Sequence, residues 1–92
     1  MIKSFLHRGL RDLWETGKSS RIPPDQRKRI KVRLDAINAA KKLSDLNQPG
    51  FDFHALDLYK PLRYTIHVNG NFTITFQWDG EHAFRLDLED YH

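Results

Sequence analysis

Apolar residues recur at helical spacing in the first half of the chain and alternate with polar residues in the second half. Leu6, Leu10, Leu13 and Trp14 lie on one side of a helix that the pattern predicts between residues 6 and 15. Gly17 follows in the position where glycine commonly ends a helix. The pattern therefore predicts a short amphipathic helix near the start of the chain.

A second helix is predicted to open at Pro23-Pro24-Asp25 and to run to about Lys42 or Leu46, before the stop signal Asn47-Gln48-Pro49-Gly50. The pattern repeats with a period close to 3.6 at Ile30, Leu34, Ile37 and Lys41. The apolar stripe is widened by Val32, Ala36, Ala39, Ala40 and Leu43. The basic side chains of this helix are Arg27, Lys28, Arg29, Lys31 and Arg33. We expect the apolar stripe to pack on a sheet and the basic side chains to face water.

The remaining segments read as strands. Short strands are predicted at residues 2–5 and within 51–56, and longer alternating strands at residues 62–68, 72–78 and 83–88. Asn69-Gly70 and Asp79-Gly80 are hairpin signals, so the last three strands form a meander. We predict one domain over residues 1–92, of α+β class, with two N-terminal helices packed on a small, twisted, mostly antiparallel sheet.

Composition limits the function classes. The chain is 39% hydrophobic, 12% aromatic and 29% charged, which is typical of a globular protein, and it has no cysteine for a disulfide or a thiolate metal site. No apolar run approaches the roughly 20 residues that span a bilayer. We expect a cytoplasmic protein that needs no metal or other cofactor and has no membrane partner.

Charge is divided unevenly along the chain. Residues 1–50 carry 12 Lys/Arg against 5 Asp/Glu, a net +7, whereas residues 51–92 carry 3 against 7, a net −4. A polyanion is a plausible partner for the basic side, and a solvated basic helix without a ligand is the equal alternative. Lys60, Arg63 and Arg85 could line an RNA groove together with Arg27, Lys28 and Lys31 of the basic helix, or could be ordinary surface charges.

Two places carry side chains suited to proton transfer. Asp90, Tyr91 and His92 follow the last predicted strand and combine a carboxylate, a phenol and an imidazole. His54 lies after Pro49-Gly50 in a loop or short strand. Taken alone, the tail is more simply a solvated, fraying segment and His54 a structural hydrogen-bonding residue.

A family resemblance changes that balance. The N-terminal Met-Ile-Lys-Ser-Phe, the strand motif Asn-Phe-Thr-Ile-Thr-Phe-Gln-Trp at residues 71–78, His54 and the tail Glu-Asp-Tyr-His together resemble the HigB branch of the RelE/ParE toxin superfamily, over essentially the whole chain. The resemblance implies the toxin of a type II toxin–antitoxin module, with two helices on a small twisted sheet. It also implies metal-independent cleavage of mRNA in the A site of the ribosome, on its small subunit, and neutralisation by a HigA-like antitoxin with a helix-turn-helix domain.

The resemblance further implies an active site at His54, Asp90, Tyr91 and His92. His92 would be the main acid–base group, Asp90 would orient it or share its proton, and Tyr91 would hydrogen-bond or stack on a base. His54 would contact the scissile phosphate or transfer the second proton.

Two positions depart from the family pattern, which usually has Arg where this chain has Thr73 and often Lys where it has Asp57. A weaker nuclease would follow, unless Lys60, Arg63 or Arg85 supplies the missing positive charge. The alternative hypothesis is a non-catalytic or degenerate member that acts by binding, as an antitoxin partner or as a ParE-like gyrase inhibitor.

Overall fold

The computed structural model describes residues 1–56 and 62–90. Helix α1 spans Arg8–Thr16 and helix α2 spans Arg27–Ala39, and four strands follow: β1 His54–Leu56, β2 Arg63–Asn69, β3 Phe72–Trp78 and β4 Ala83–Asp90. Short 3₁₀ turns at Pro24–Gln26 and Leu43–Leu46 precede and follow α2. The strands form one antiparallel sheet in the order β1-β2-β3-β4, so both the predicted α+β class and the predicted meander are confirmed.

Helix α1 is capped at both ends. The Nδ1 atom of His7 accepts a hydrogen bond from the Leu10 N–H at 3.1 Å, which satisfies one of the free amides of the first turn. At the other end Gly17 is left-handed, with φ of 79°, and its N–H donates to the Leu13 carbonyl. The predicted glycine cap is confirmed, and His7 is the N-terminal capping residue of the helix.

Helix α2 departs from the prediction in which residues it buries. Ile30, Leu34 and Ile37 are fully buried, as the period of 3.6 requires, but Val32 is 53% exposed. Arg33, predicted to face water with the other basic residues, is only 7% exposed. Arg33 therefore belongs to the interior and was placed wrongly by the sequence pattern.

Arg33 is held inside by backbone carbonyls. Its guanidinium donates to the carbonyls of His67 at 2.7 Å, Gly50 at 3.2 Å and Arg29 at 3.1 Å, and it lies 4.9 Å from the ring centroid of Phe51. Burial, and secondarily the charge of Arg29, lower the pKa of Arg33. These contacts tie α2 to the segment that leads into β1.

Helix α2 ends earlier than predicted, at Ala39. Beyond it the Asp45 carboxylate accepts hydrogen bonds from the N–H groups of Lys41 and Lys42, at 3.0 and 3.2 Å, and these bonds lower the pKa of Asp45. Because the side chain takes amides that a continuing helix would use, the chain leaves the helical path and re-forms as the 3₁₀ turn.

The core lies between the two helices and one face of the sheet. It is built from buried residues of both layers: Leu10, Leu13, Ile22, Ile30, Leu34, Ile37, Ala40, Leu46, Phe51, Ile66, Val68, Ile74, Phe76, Ala83 and Leu86. Alternation supplies the core residues of β2 and β3, so the polar positions between them fall on the opposite face. In β4 the buried residues Ala83 and Leu86 are three positions apart, because its pairing with β3 is irregular there. No helix among residues 1–56 and 62–90 is long and apolar enough to cross a membrane.

The N-terminal segment forms a fifth, irregular ribbon along β4. Isolated parallel bridges join Ile2 to Ala83 and Phe5 to Leu86. Leu86 accepts from the Leu6 N–H and donates to the Ser4 carbonyl. The predicted strand at residues 2–5 is thus two bridges rather than a continuous strand, and it covers the outer edge of β4.

Candidate active site on the open face of the sheet

The sheet face turned away from the helices, called here the open face, is polar. Cross-strand pairing and alternation place these residues on it: His54, Arg63, Thr65, His67, Thr73, Thr75, Gln77, Asp87 and Glu89. One row across the sheet runs from His54 through Thr65 and Thr75 to Asp87, and a neighbouring row joins His67, Thr73 and Glu89. Its central residues Thr65, Thr75 and Gln77 are buried, so only the exposed and half-buried residues of this face can contact a ligand.

Arg63 is a cation of this face that side-chain hydrogen bonds hold in place. Its Nη2 atom lies 2.7 Å from Glu89 Oε1, and the same nitrogen donates a short hydrogen bond to the Thr75 hydroxyl. Both side chains of the ion pair are half-buried, so the guanidinium is held in one orientation by a charge-assisted contact. An oriented guanidinium is the group that proteins use to bind phosphate.

His54 is placed by strand β1, where it pairs with Thr65. The ring is well exposed; its Nε2 lies 3.3 Å from Asp52 Oδ1 and its Nδ1 lies 2.9 Å from the Phe53 carbonyl. Asp52 itself is left-handed, with φ of 46°. The sequence analysis missed Asp52, although a carboxylate two residues before a histidine was a readable signal.

The backbone around His54 is fixed from the core side. Phe53 stacks on Tyr64 with ring centroids 5.7 Å apart and planes 9° from parallel, and Tyr64 contacts Phe76 at 5.8 Å. The Phe51 carbonyl accepts from the His67 N–H at 2.7 Å. Aromatic contacts and a backbone hydrogen bond therefore anchor β1, while the imidazole projects from the opposite side.

Asp90 is the last residue of β4 and pairs with Phe72, next to Glu89 in the chain. His54 and Asp90 lie on opposite edge strands, with β2 and β3 between them, each spacing about 4.8 Å. Because Asp90 pairs with Phe72, which packs against the core, strand alternation places Asp90 on the helix side of the sheet. The structure therefore does not bring Asp90 together with His54, which lies on the open face with Arg63 and Glu89. Tyr91 and His92 lie outside the described residues, as do Lys60 and Asp57.

The predicted RNA-binding cations fall into two groups. Arg63 and Arg85 line one cleft together with Gln77 and Asp87. Lys28 and Lys31 are exposed on α2, the helix that packs against the opposite face. The structure therefore does not bring all these cations to one surface.

Arg27 differs from its neighbours on α2. Its guanidinium donates to the carbonyls of Ser19 at 2.6 Å and Ile22 at 3.2 Å, and the residue is half-buried. It ties the loop before the helix to the first turn, and contact with RNA stays a prediction for this residue.

The sequence matches a defined class of protein. The family model of the RelE-like toxin of the type II toxin–antitoxin system HigB matches residues 3–92. The chain belongs to this HigB-like toxin family. Among curated relatives, it is 40% identical to the "Endoribonuclease HigB" of Proteus vulgaris over 92 residues, which is the full length of both chains.

Proposed function

We propose that this chain is an endoribonuclease toxin that cuts mRNA in the A site of the translating ribosome, on its small subunit. The full-length match to a protein named as an endoribonuclease carries this proposal. An arginine that Glu89 and Thr75 hold in one orientation on the open face supports the nuclease part of the proposal. The site of action would be the cytoplasm, where ribosomes translate.

The proposed reaction is an internal transesterification of RNA. The 2′-oxygen attacks the adjacent phosphorus, the bond from phosphorus to the 5′-oxygen breaks, and a 2′,3′-cyclic phosphate is left. A base must accept the 2′ proton, an acid must protonate the leaving 5′-oxygen, and cations must stabilise the charge on the phosphoryl oxygens.

We assign the proton transfers to His54 and His92. His92 would be the main acid–base group, oriented by Asp90, while Tyr91 would hydrogen-bond or stack on a base. His54, exposed on its edge strand beside Asp52, would contact the scissile phosphate or move the second proton. Imidazoles are suited to both steps at neutral pH.

The charge-stabilising role falls to Arg63 in this proposal. Thr73 is a neutral residue that pairs with both His67 and Glu89, so β3 brings no cation to that row. The guanidinium of Arg63 reaches Glu89, the residue opposite Thr73. Arg63 can therefore place positive charge beside the row in which Thr73 provides none, and Lys60 and Arg85 would add to it.

The antitoxin would be a HigA-like protein with a helix-turn-helix domain. Membership in a type II toxin family implies an antitoxin partner. Co-expression with the product of an adjacent small helix-turn-helix gene should restore growth, and that product should co-purify with this chain. Growth arrest that persists despite stable co-expression of that product would contradict this assignment.

Induced expression tests the nuclease and its catalytic residues together. Wild type should arrest growth and produce codon-phased 5′ ends in mRNA, whereas His92→Ala should do neither. His82→Gln is a matched control, because it changes a histidine in the turn between β3 and β4 that pairs with Asp79. If His92→Ala and removal of residues 91–92 were as toxic as wild type, the catalytic assignment would be wrong.

A translation reaction separates the remaining alternatives. Cuts that appear on translated mRNA and not on the same RNA without ribosomes would support ribosome dependence. Equal cutting of both would make this chain a free ribonuclease. Intact mRNA together with arrested DNA replication in cells would favour the gyrase-inhibitor hypothesis.

A further inference from the structure

A β-bulge interrupts the pairing of β3 with β4. Thr75 pairs with Asp87, and Gln77 pairs with Phe84. Two residues of β4, Arg85 and Leu86, therefore lie opposite the single residue Phe76 of β3. Arg85 takes a left-handed backbone with φ of 55°, which is unfavourable for a residue with a Cβ. Bulges of this kind redirect side chains and are frequent beside active sites.

The N-terminal segment holds the bulge in this conformation. The Arg85 N–H donates to the Ser4 hydroxyl at 2.9 Å, and the next amide, that of Leu86, donates to the Ser4 carbonyl at 3.1 Å. A strained position that is fixed by two hydrogen bonds from a distant segment is over-determined by the fold. Such strain is a reason to look for a function at the side chain it directs.

The redirected side chain lines a cleft of about 190 Å³, whose walls are Leu6, Arg63, Gln77, Arg85 and Asp87. This is smaller than the roughly 300–1,000 Å³ of a pocket for a drug-sized ligand, so it suits one planar group. The walls combine two guanidinium groups, a carboxamide, a carboxylate and the leucine, which is 55% exposed.

These walls match the parts of one RNA nucleotide. A guanidinium binds phosphate, and an exposed leucine can pack on the face of a base. Gln77 is only 7% exposed, so the group that can meet a base edge is the carboxylate of Asp87, which can only accept. The carboxylate repels phosphate, so the phosphate belongs on the Arg85 side and a base with an exocyclic amine belongs on the Asp87 side.

The cleft adjoins the row that runs from His54 through Thr65 and Thr75 to its wall residue Asp87. Gln77 is two residues from Thr75 along β3, or about 7 Å at strand geometry. Arg63 spans that interval, because it lines the cleft and its guanidinium binds Thr75 and Glu89. One nucleotide step of an extended RNA strand covers a comparable interval.

We propose that the bulge cleft is a nucleotide subsite. It would bind the RNA nucleotide one step from the scissile phosphate and would favour a base that carries an exocyclic amine. This inference rests on the proposed nuclease function. It specifies a binding site for one nucleotide and the two residues, Arg85 and Asp87, that select this nucleotide.

Arg85→Gly is the decisive variant, because glycine accepts the left-handed backbone and only the guanidinium is lost. Arg11→Ala, which removes an exposed arginine of α1, is the matched control. The first measurement is binding of a short single-stranded RNA whose 2′-deoxy substitutions prevent cleavage. Arg85→Gly should weaken binding about tenfold, and the control should match wild type.

The second measurement is mRNA cleavage by the full chain in a translation reaction. Arg85→Gly should raise the half-saturating concentration more than it lowers the maximal rate, and Asp87→Asn should admit uracil one step from the cut. If Arg85→Gly equals the control in both measurements, the subsite is refuted even though wild type cuts. If wild type leaves mRNA intact, the nuclease proposal fails, and the binding measurement still decides the subsite.

Discussion

The two halves of this chain use positive charge differently. Residues 1–50 hold 12 of the 15 Lys/Arg, yet two of the arginines on α2, Arg27 and Arg33, bind backbone carbonyls. Residues 51–92 are net acidic, and their Arg63 and Arg85 line a cleft on the open face. The half with less positive charge therefore presents the oriented guanidinium of Arg63 on the open face.

Different residues of this chain can attract RNA at long range and hold a positive charge in one direction. Exposed Lys28 and Lys31 can draw in an RNA backbone at long range, an effect that salt screens. Arg63 has acidic and hydroxyl partners that fix its direction, and only a fixed group stabilises charge at one chosen atom. Net charge is thus a poor guide to the position of the active site.

The largest expected effect is on catalysis. Arg63→Ala should lower the cleavage rate by about two to three orders of magnitude, because one oriented donor to the phosphoryl oxygens is lost. Lys28→Ala, the control on α2, should change the rate by less than about threefold at physiological salt. The cleavage rate of each variant is measured in a translation reaction. Equal rates for the two variants would show that the oriented arginine matters no more to cleavage than an exposed lysine of α2.

The next effect is on folding. Arg33→Met should lower the free energy of unfolding by about 3 kcal/mol, since three backbone carbonyls lose their donor inside the protein. The fall in Tm should exceed about 10 °C. Lys31→Met on the exposed side of the same helix should leave Tm nearly unchanged. Equal falls in Tm for the two variants would mean that the buried hydrogen bonds of Arg33 do not stabilise the fold.

A smaller effect should appear in salt dependence. Lys28→Ala with Lys31→Ala should weaken RNA binding and reduce the slope of log affinity against log salt by about 1.4, if each lysine meets one phosphate of single-stranded RNA. Lys41→Ala with Lys42→Ala, two exposed lysines beyond the end of α2, is the paired control. An unchanged slope for the first pair would show that α2 does not contact RNA.

The smallest effect is a gain. Arg85→Gly should raise the free energy of unfolding by about 1 kcal/mol, because the left-handed backbone no longer carries a Cβ. Tm should rise by about 4–8 °C while RNA binding falls. A lower Tm would mean that the arginine side chain stabilises the bulge and that strain is not stored there.

The helices and strands that could be predicted from the sequence are those with one apolar face buried in the core. The alternation around Ile74 and the glycine after α1 specify their structures locally, so β3 and the cap at Gly17 follow from the sequence. The end of α2 did not follow, because the Asp45 side chain competes for amides that periodicity treats as helical.

Polar contacts between residues far apart in the chain could not be predicted from the pattern of apolar and polar residues. Arg33 resembles its basic neighbours in sequence, and only the carbonyls of Gly50 and His67 make its burial possible. Likewise, the pairing of Arg63 with Glu89 joins residues 26 positions apart on strands that are not neighbours. His54 and Asp90 were identified through family resemblance, and their catalytic roles stay predictions.

The ribbon formed by residues 2–6 has a consequence for the timing of folding. Ser4 binds Arg85 across 81 positions, so the hydrogen bonds that join this ribbon to the sheet cannot form until β4 has been synthesised. A nascent chain that ends before β4 also lacks Glu89 as the partner of Arg63. Closure of so long a loop makes this contact a late event. The contacts that fix both the bulge at Arg85 and the direction of Arg63 are therefore completed only when the last strand has joined the sheet.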